Sequence, residues 1–124
     1  MTKPRPKHLD LMRIRLPLPG WVSILHRVSG AALFLMLPLL LYLFGASVGS
    51  ETTFAAYKAT VAHPLVKFVL LGLLWGFLHH LCAGIRYLAL DLHIGTTLEA
   101  ARSSSVVVLA ASLAATAAIG VMLW

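Results

Sequence analysis

Residues 21–30 read Trp21-Val22-Ser23-Ile24-Leu25-His26-Arg27-Val28-Ser29-Gly30, and the 23 residues from Val28 to Ser50 contain no Asp, Glu, Lys or Arg. An uncharged run of that length crosses a bilayer with some tilt. Ser23, His26 and Arg27 therefore fall where a membrane helix begins, at the boundary between water and lipid. Ser23 and Arg27 are four residues apart and share one helical face. A hydroxyl, an imidazole and a guanidinium at that depth form a place where a polar headgroup can be bound as it enters sideways from the lipid.

The rest of the chain fits a membrane protein. Of its 124 residues, 60% are hydrophobic and 11% charged, which is not the composition of a soluble domain. The single cysteine, Cys82, lies in an apolar run and has no partner for an internal disulfide. The sequence holds no zinc-ligand spacing, no phosphate-cradling glycine loop and no nucleophile elbow. The formal charge of +6 does not point to nucleic acid, because of where it sits. Lys3, Arg5, Lys7, Arg13, Arg15 and Arg27 precede the first span against Asp10 alone, which is a topology signal. Nor is this a cleaved signal peptide, since the apolar run is too long and no small-residue cleavage site closes it.

Taken in order, residues 1–20 carry Pro4, Pro6, Pro17 and Pro19 and form a cytoplasmic segment on the membrane surface, and residues 21–124 form one three-helix membrane domain. The first spanning helix is expected over about 21–48, with Trp21 at the interface and Pro38 inside it. A loop over 49–63 follows, with a short surface helix from Phe54 to Val61. The second span starts near Pro64, a good first-turn residue, and ends near Leu90. A polar connector over 91–102 leads to an uncharged third span over 103–124. The expected fold is thus all-α, with three transmembrane helices. Eight of the ten Lys and Arg residues lie before the first span or in the 86–102 region, which places the N-terminus in the cytoplasm and the C-terminus in the periplasm.

The second span carries a further pattern. Gly72, Gly76, His80 and Gly84 recur every four residues and form a ridge on one face. Two readings stand side by side. A flat macrocycle can lie along the glycines with its iron on the His80 imidazole, or the ridge is a small-residue packing face with His80 bonded to a carbonyl. Intramembrane histidines are costly, which favours a functional role. His79 points about 100° away and is expected to be satisfied at a helix–helix contact. A haem on His80 with its carboxylates turned toward the cytoplasm would meet His26, Arg27 or Arg86. Alternatively, Arg27 and Arg86 are positive-inside anchors that snorkel to the headgroups. Only one intramembrane imidazole faces the ridge, so a six-coordinate haem would need its second axial ligand from another chain. The third span is rich in small residues (Ser112, Ala114, Ala115, Ala117, Ala118, Gly120) and is expected to serve packing.

These residues also carry a resemblance. Arg5-Pro6, His8-Leu9-Asp10-Leu11, Ile14-Arg15 and Pro17, leading into Ser23-Ile24-Leu25-His26-Arg27-Val28-Ser29-Gly30, resemble the cytochrome b subunit of succinate dehydrogenase. The His80-x-x-x-Gly84-Ile85-Arg86 element and Asp91 add to it, and the three-span layout extends it over nearly the whole chain. The resemblance implies a membrane anchor in a four-subunit complex of the bacterial inner membrane. There a flavoprotein oxidises succinate, an iron–sulfur subunit carries the electrons, and two small anchor subunits hold haem b and the site for a quinone, ubiquinone being the expected acceptor. By position, Ser23 and Arg27 would bind the quinone and His80 would be one axial iron ligand, the partner anchor supplying the other. His26 and Arg27 would approach the haem carboxylates. The chain departs from the family pattern at Tyr87, where histidine is common, and at His8, where asparagine is. A cofactor-free structural anchor or assembly subunit is the competing function. It has no need of His80 on its glycine ridge, of Ser23 or of Arg27. A small transporter is disfavoured because no acidic residue lies within a span to couple an ion.

Overall fold

A computed structural model describes residues 14–124. The surface segment expected over 1–20 lies mostly outside the described residues, as do Arg5, Pro6 and His8 to Leu11. The elements are α1 (Leu18–Val48), α2 (Glu51–Ala62), α3 (Pro64–Asp91) and α4 (Leu98–Leu123). There is no strand among the described residues. Three of these helices, α1, α3 and α4, are long and apolar enough to cross a membrane.

The helix boundaries follow from local chemistry. α1 begins three residues earlier than expected. Pro17 caps it in an extended conformation and Pro19 sits in the first turn, where a missing N–H costs nothing. The Pro17 carbonyl accepts from Gly20 N at 2.9 Å. The helix then runs through Pro38 to Val48.

The expected surface helix is real and longer, because Ser50 starts it. Ser50 Oγ accepts from Thr53 N at 3.3 Å while Thr53 Oγ1 accepts from Ser50 N at 2.8 Å, a reciprocal cap, and Glu51 sits favourably at the positive end of the helix. His63 joins α2 to α3, its ring nitrogen accepting from Leu65 N at 3.3 Å. The connector before α4 is shorter than expected. Thr97 Oγ1 accepts from Ala100 N at 3.3 Å, and Glu99 lies in the first turn, so the helix starts at Leu98 rather than Ser103. His93 (φ 61°) and Gly95 (φ 74°) make the left-handed turn that reverses the chain there.

The interior is thin. Val22 from α1, Ala83 from α3 and Val108 from α4 meet at its centre, each 5% exposed or less. The large apolar side chains point outward instead: Phe34, Phe68 and Val121 are 76%, 75% and 82% exposed. That inversion suits a solvent of lipid tails or a neighbouring subunit, and small residues are left to bring the helices together. Gly120 shows this at one end of the α3–α4 pair, where a Cβ would stand 3.0 Å from Leu71 Cδ1.

Candidate functional site

The α1–α3 contact is organised around His80. Its Nδ1 lies 3.0 Å from the His26 carbonyl oxygen and 3.2 Å from Ser29 Oγ. Ser29 Oγ in turn donates to the same His26 carbonyl at 2.9 Å. The His26 ring stacks on the His80 ring, with centroids 4.0 Å apart and planes 10° from parallel. Tyr87 meets His26 edge-on at 5.1 Å. Gly30 closes the cradle: a Cβ there would stand 2.8 Å from His80 Cε1, closer than a side-chain carbon is found.

The ridge on α3 is not a bare groove along its length, which corrects one expectation. Beyond Gly76 the nearest group is Ser29 Cβ, and beyond Gly84 it is His26 Nε2. Both glycines face α1 and let it approach. Gly72 alone of the three faces open space. The ridge is thus a packing face at Gly76 and Gly84, with His80 between them bonded to the His26 carbonyl.

Ser23 and Arg27 lie one turn apart on α1, Ser23 half-buried and Arg27 exposed. His26 falls between them in sequence and turns toward α3. Of the three residues singled out at the start of the first span, His26 is the one in contact with His80. Arg86 does not join them. It is buried against α4, where Nε donates to Ser104 Oγ at 2.9 Å and a terminal nitrogen donates to the Ala101 carbonyl at 3.3 Å. Its guanidinium also lies 5.5 Å from the centre of the Tyr87 ring. Its side chain turns to α4 rather than to His26 and Arg27. Side chains at 80 and 86 are separated by about 240° around the helix, which sends them to different neighbours.

His79 lies at the contact with α1, its ring beside the backbone of Val22. It is 1% exposed, and neither ring nitrogen has a hydrogen-bond partner among the described residues. Trp75, tilted against it at 5.6 Å, has a buried indole nitrogen in the same condition. On α4 the buried hydroxyls serve their own helix: Ser105 Oγ donates to Ala101 O, Ser112 Oγ to Leu109 O and Thr116 Oγ1 to Ser112 O. That bears out a packing role for α4.

Sequence reasoning left Ser29, Gly30 and Ser104 without roles. The signal for the first two was present, as two small residues just beyond Arg27 and Val28. The face of α1 that meets α3 is a tertiary fact, however. No cluster of three metal-ligating side chains occurs among the described residues. A groove of about 390 Å³ between α1 and α2, lined by Tyr42, Gly45, Thr53 and Tyr57, is apolar and separate from it.

Known proteins give this arrangement its context. Residues 1–119 match the family described as succinate dehydrogenase/fumarate reductase transmembrane subunit. The succinate dehydrogenase cytochrome b556 subunit of Coxiella burnetii is 34% identical over 125 residues, covering 100% of both chains. That of Paracoccus denitrificans is 35% identical over 109 residues, covering 88% of this chain and 84% of the relative. That of Rickettsia prowazekii is 28% identical over 98 residues, covering 79% and 74%. With three membrane-length helices, a histidine held at the helix contact and a match over nearly its whole length, the chain belongs to the family of succinate dehydrogenase and fumarate reductase transmembrane subunits.

Proposed function

We propose that this chain is the haem b- and quinone-binding anchor of a bacterial succinate:quinone oxidoreductase, passing electrons from an iron–sulfur subunit to ubiquinone. The observation that carries the proposal is the state of the His80 ring. A carbonyl oxygen only accepts, so the nitrogen facing His26 O carries the hydrogen and Nε2 keeps its lone pair. An imidazole whose other nitrogen is pinned to a backbone carbonyl is the arrangement of a metal-ligating histidine. The residues fit the group. His80 would hold the iron through Nε2, and His26 and Arg27 are the groups on that side for its carboxylates. When bound, haem b supplies a one-electron carrier within the membrane. With one such imidazole here, any further iron ligand would come from a partner anchor subunit.

Ser23 and Arg27 hold the quinone. The serine hydroxyl donates to a quinone carbonyl, and the arginine stabilises the negative charge that builds on oxygen as electrons arrive. Arg27 is exposed and Ser23 half-buried, so a headgroup reaches both from the membrane surface. The basic residues before α1 and after Ile85 favour an N-terminus and α3–α4 turn in the cytoplasm and a C-terminus in the periplasm. The quinone then lies on the side where an iron–sulfur subunit, itself joined to the flavoprotein, can dock and protons can enter.

The test is a reduced-minus-oxidised visible spectrum of the detergent-solubilised complex, purified through a tag on this chain. A b-type spectrum that vanishes in His80→Leu while the other subunits still co-purify is the expected result. An unchanged spectrum in that variant overturns the ligand assignment. A colourless complex with all partners present overturns the haem and leaves the cofactor-free anchor.

A further inference from the structure

We infer that Ser29 is a positioning residue that sets the hydrogen-bond strength at the back of the His80 imidazole and thereby the reduction potential of the haem. The inference rests on the proposed ligation by His80 and goes beyond it. Ser29 is 8% exposed, so no water competes for its hydroxyl. The hydroxyl hydrogen is directed at the His26 carbonyl at 2.9 Å, which leaves the oxygen to accept. The His80 Nδ1–H thus has two acceptors at once, His26 O at 3.0 Å and Ser29 Oγ at 3.2 Å. Such shared donors are common where two oxygens lie close together.

Two further contacts keep the ring from turning away. The His26 ring lies flat on one side of it, and Gly30 gives it the space a Cβ would take, 2.8 Å from Cε1. The ring therefore has one orientation, with Nδ1 against the acceptors and Nε2 opposite. Hydrogen bonding from the far nitrogen raises the basicity of a metal-bound imidazole. A more basic ligand favours the ferric over the ferrous iron and lowers the potential. Removing one acceptor reverses that shift.

The experiment is a potentiometric titration of the haem, with low-temperature EPR of the oxidised form, on the intact complex carrying Ser29→Ala or Ser29→Thr. Threonine keeps the oxygen. Its extra methyl has room because Gly76 opposite has no side chain, and the Ser29 Cβ lies 3.9 Å from where one would be. The expected result is a midpoint potential that rises in Ser29→Ala and returns toward wild type in Ser29→Thr, with the low-spin EPR signal displaced only in the alanine variant. A wild-type potential and signal in Ser29→Ala overturn the inference while leaving ligation by His80 standing. If Ser29→Ala loses its haem, the threonine variant decides: a wild-type potential supports the inference and a shifted one overturns it. A wild-type complex without haem is instead a failure of the proposed function.

Discussion

The α1–α3 and α3–α4 contacts are made from the same few residue types and do opposite things with them. On the α4 side, Ser104 accepts from Arg86 while Ser105, Ser112 and Thr116 donate to carbonyls of their own helix. Their bonding is largely closed within the pair. On the α1 side, Ser29 and the His26 carbonyl engage one nitrogen of His80 and leave the other. The difference teaches that a polar group inside a membrane is a site when its partners satisfy part of it and direct the remainder. It is a fastening when they satisfy all of it.

Several substitutions would break or sharpen that contrast. The largest effect is expected from Gly30→Ala, whose new methyl collides with the His80 ring. Its haem absorbance should fall to a small fraction of wild type in the purified complex, and full retention would mean the cradle can yield. Next, Ser23→Ala and Arg27→Leu should each lower quinone reduction by about 100–1000-fold, the range for deleting one donor to a developing oxyanion. Succinate oxidation with an artificial acceptor should persist, and an equal loss of both activities would point to an assembly role.

Arg86→Met should leave the haem spectrum unchanged and lower stability. Two hydrogen bonds at about 1 kcal/mol each set the scale, read as a reduced melting temperature of the solubilised complex. A lost haem band would instead return Arg86 to the cofactor site. The smallest change is expected for His79→Leu. It replaces an imidazole without partners among the described residues by an apolar side chain of similar size. Melting temperature should stay the same or rise, because burying an unpaired polar group is unfavourable. A fall of several degrees would reveal a bound partner for that ring.

Much of the fold was legible because lipid imposes simple demands: length without charge gave the spans, and the Lys and Arg bias gave an expected topology. The boundaries were harder. Pro17 and Pro19 look like a break until Pro19 is recognised as a tolerated first-turn residue, and Thr97 had to outweigh Glu99 and Arg102 to start α4 early. Within the site, the four-residue period picked out the face that holds His80. It could not say that α1 fills much of that face, since Gly76 and Gly84 read the same whether they meet a cofactor or a helix. The partners of Arg86 were hidden for a related reason. The direction of its side chain depended on where α4 packs, and Ser104 lay in a run of three serines with nothing to single it out.

The Arg86–Ser104 link also bears on how the chain enters the membrane. Until α4 arrives, α3 carries a guanidinium near its end with no hydroxyl or carbonyl from a neighbour to receive it, at a cost below the about 3 kcal/mol of an arginine at a helix centre. Only six residues, Leu92 to Thr97, separate the two helices. They are therefore suited to leave the translocon as one hairpin rather than in sequence. A chain ended at Gly95 should show α3 slipping back or being degraded during biosynthesis, and restoring residues 96–124 should rescue it. Arg86→Leu in the shortened chain should do the same without α4. Stable insertion of the shortened wild-type chain would count against this order of events.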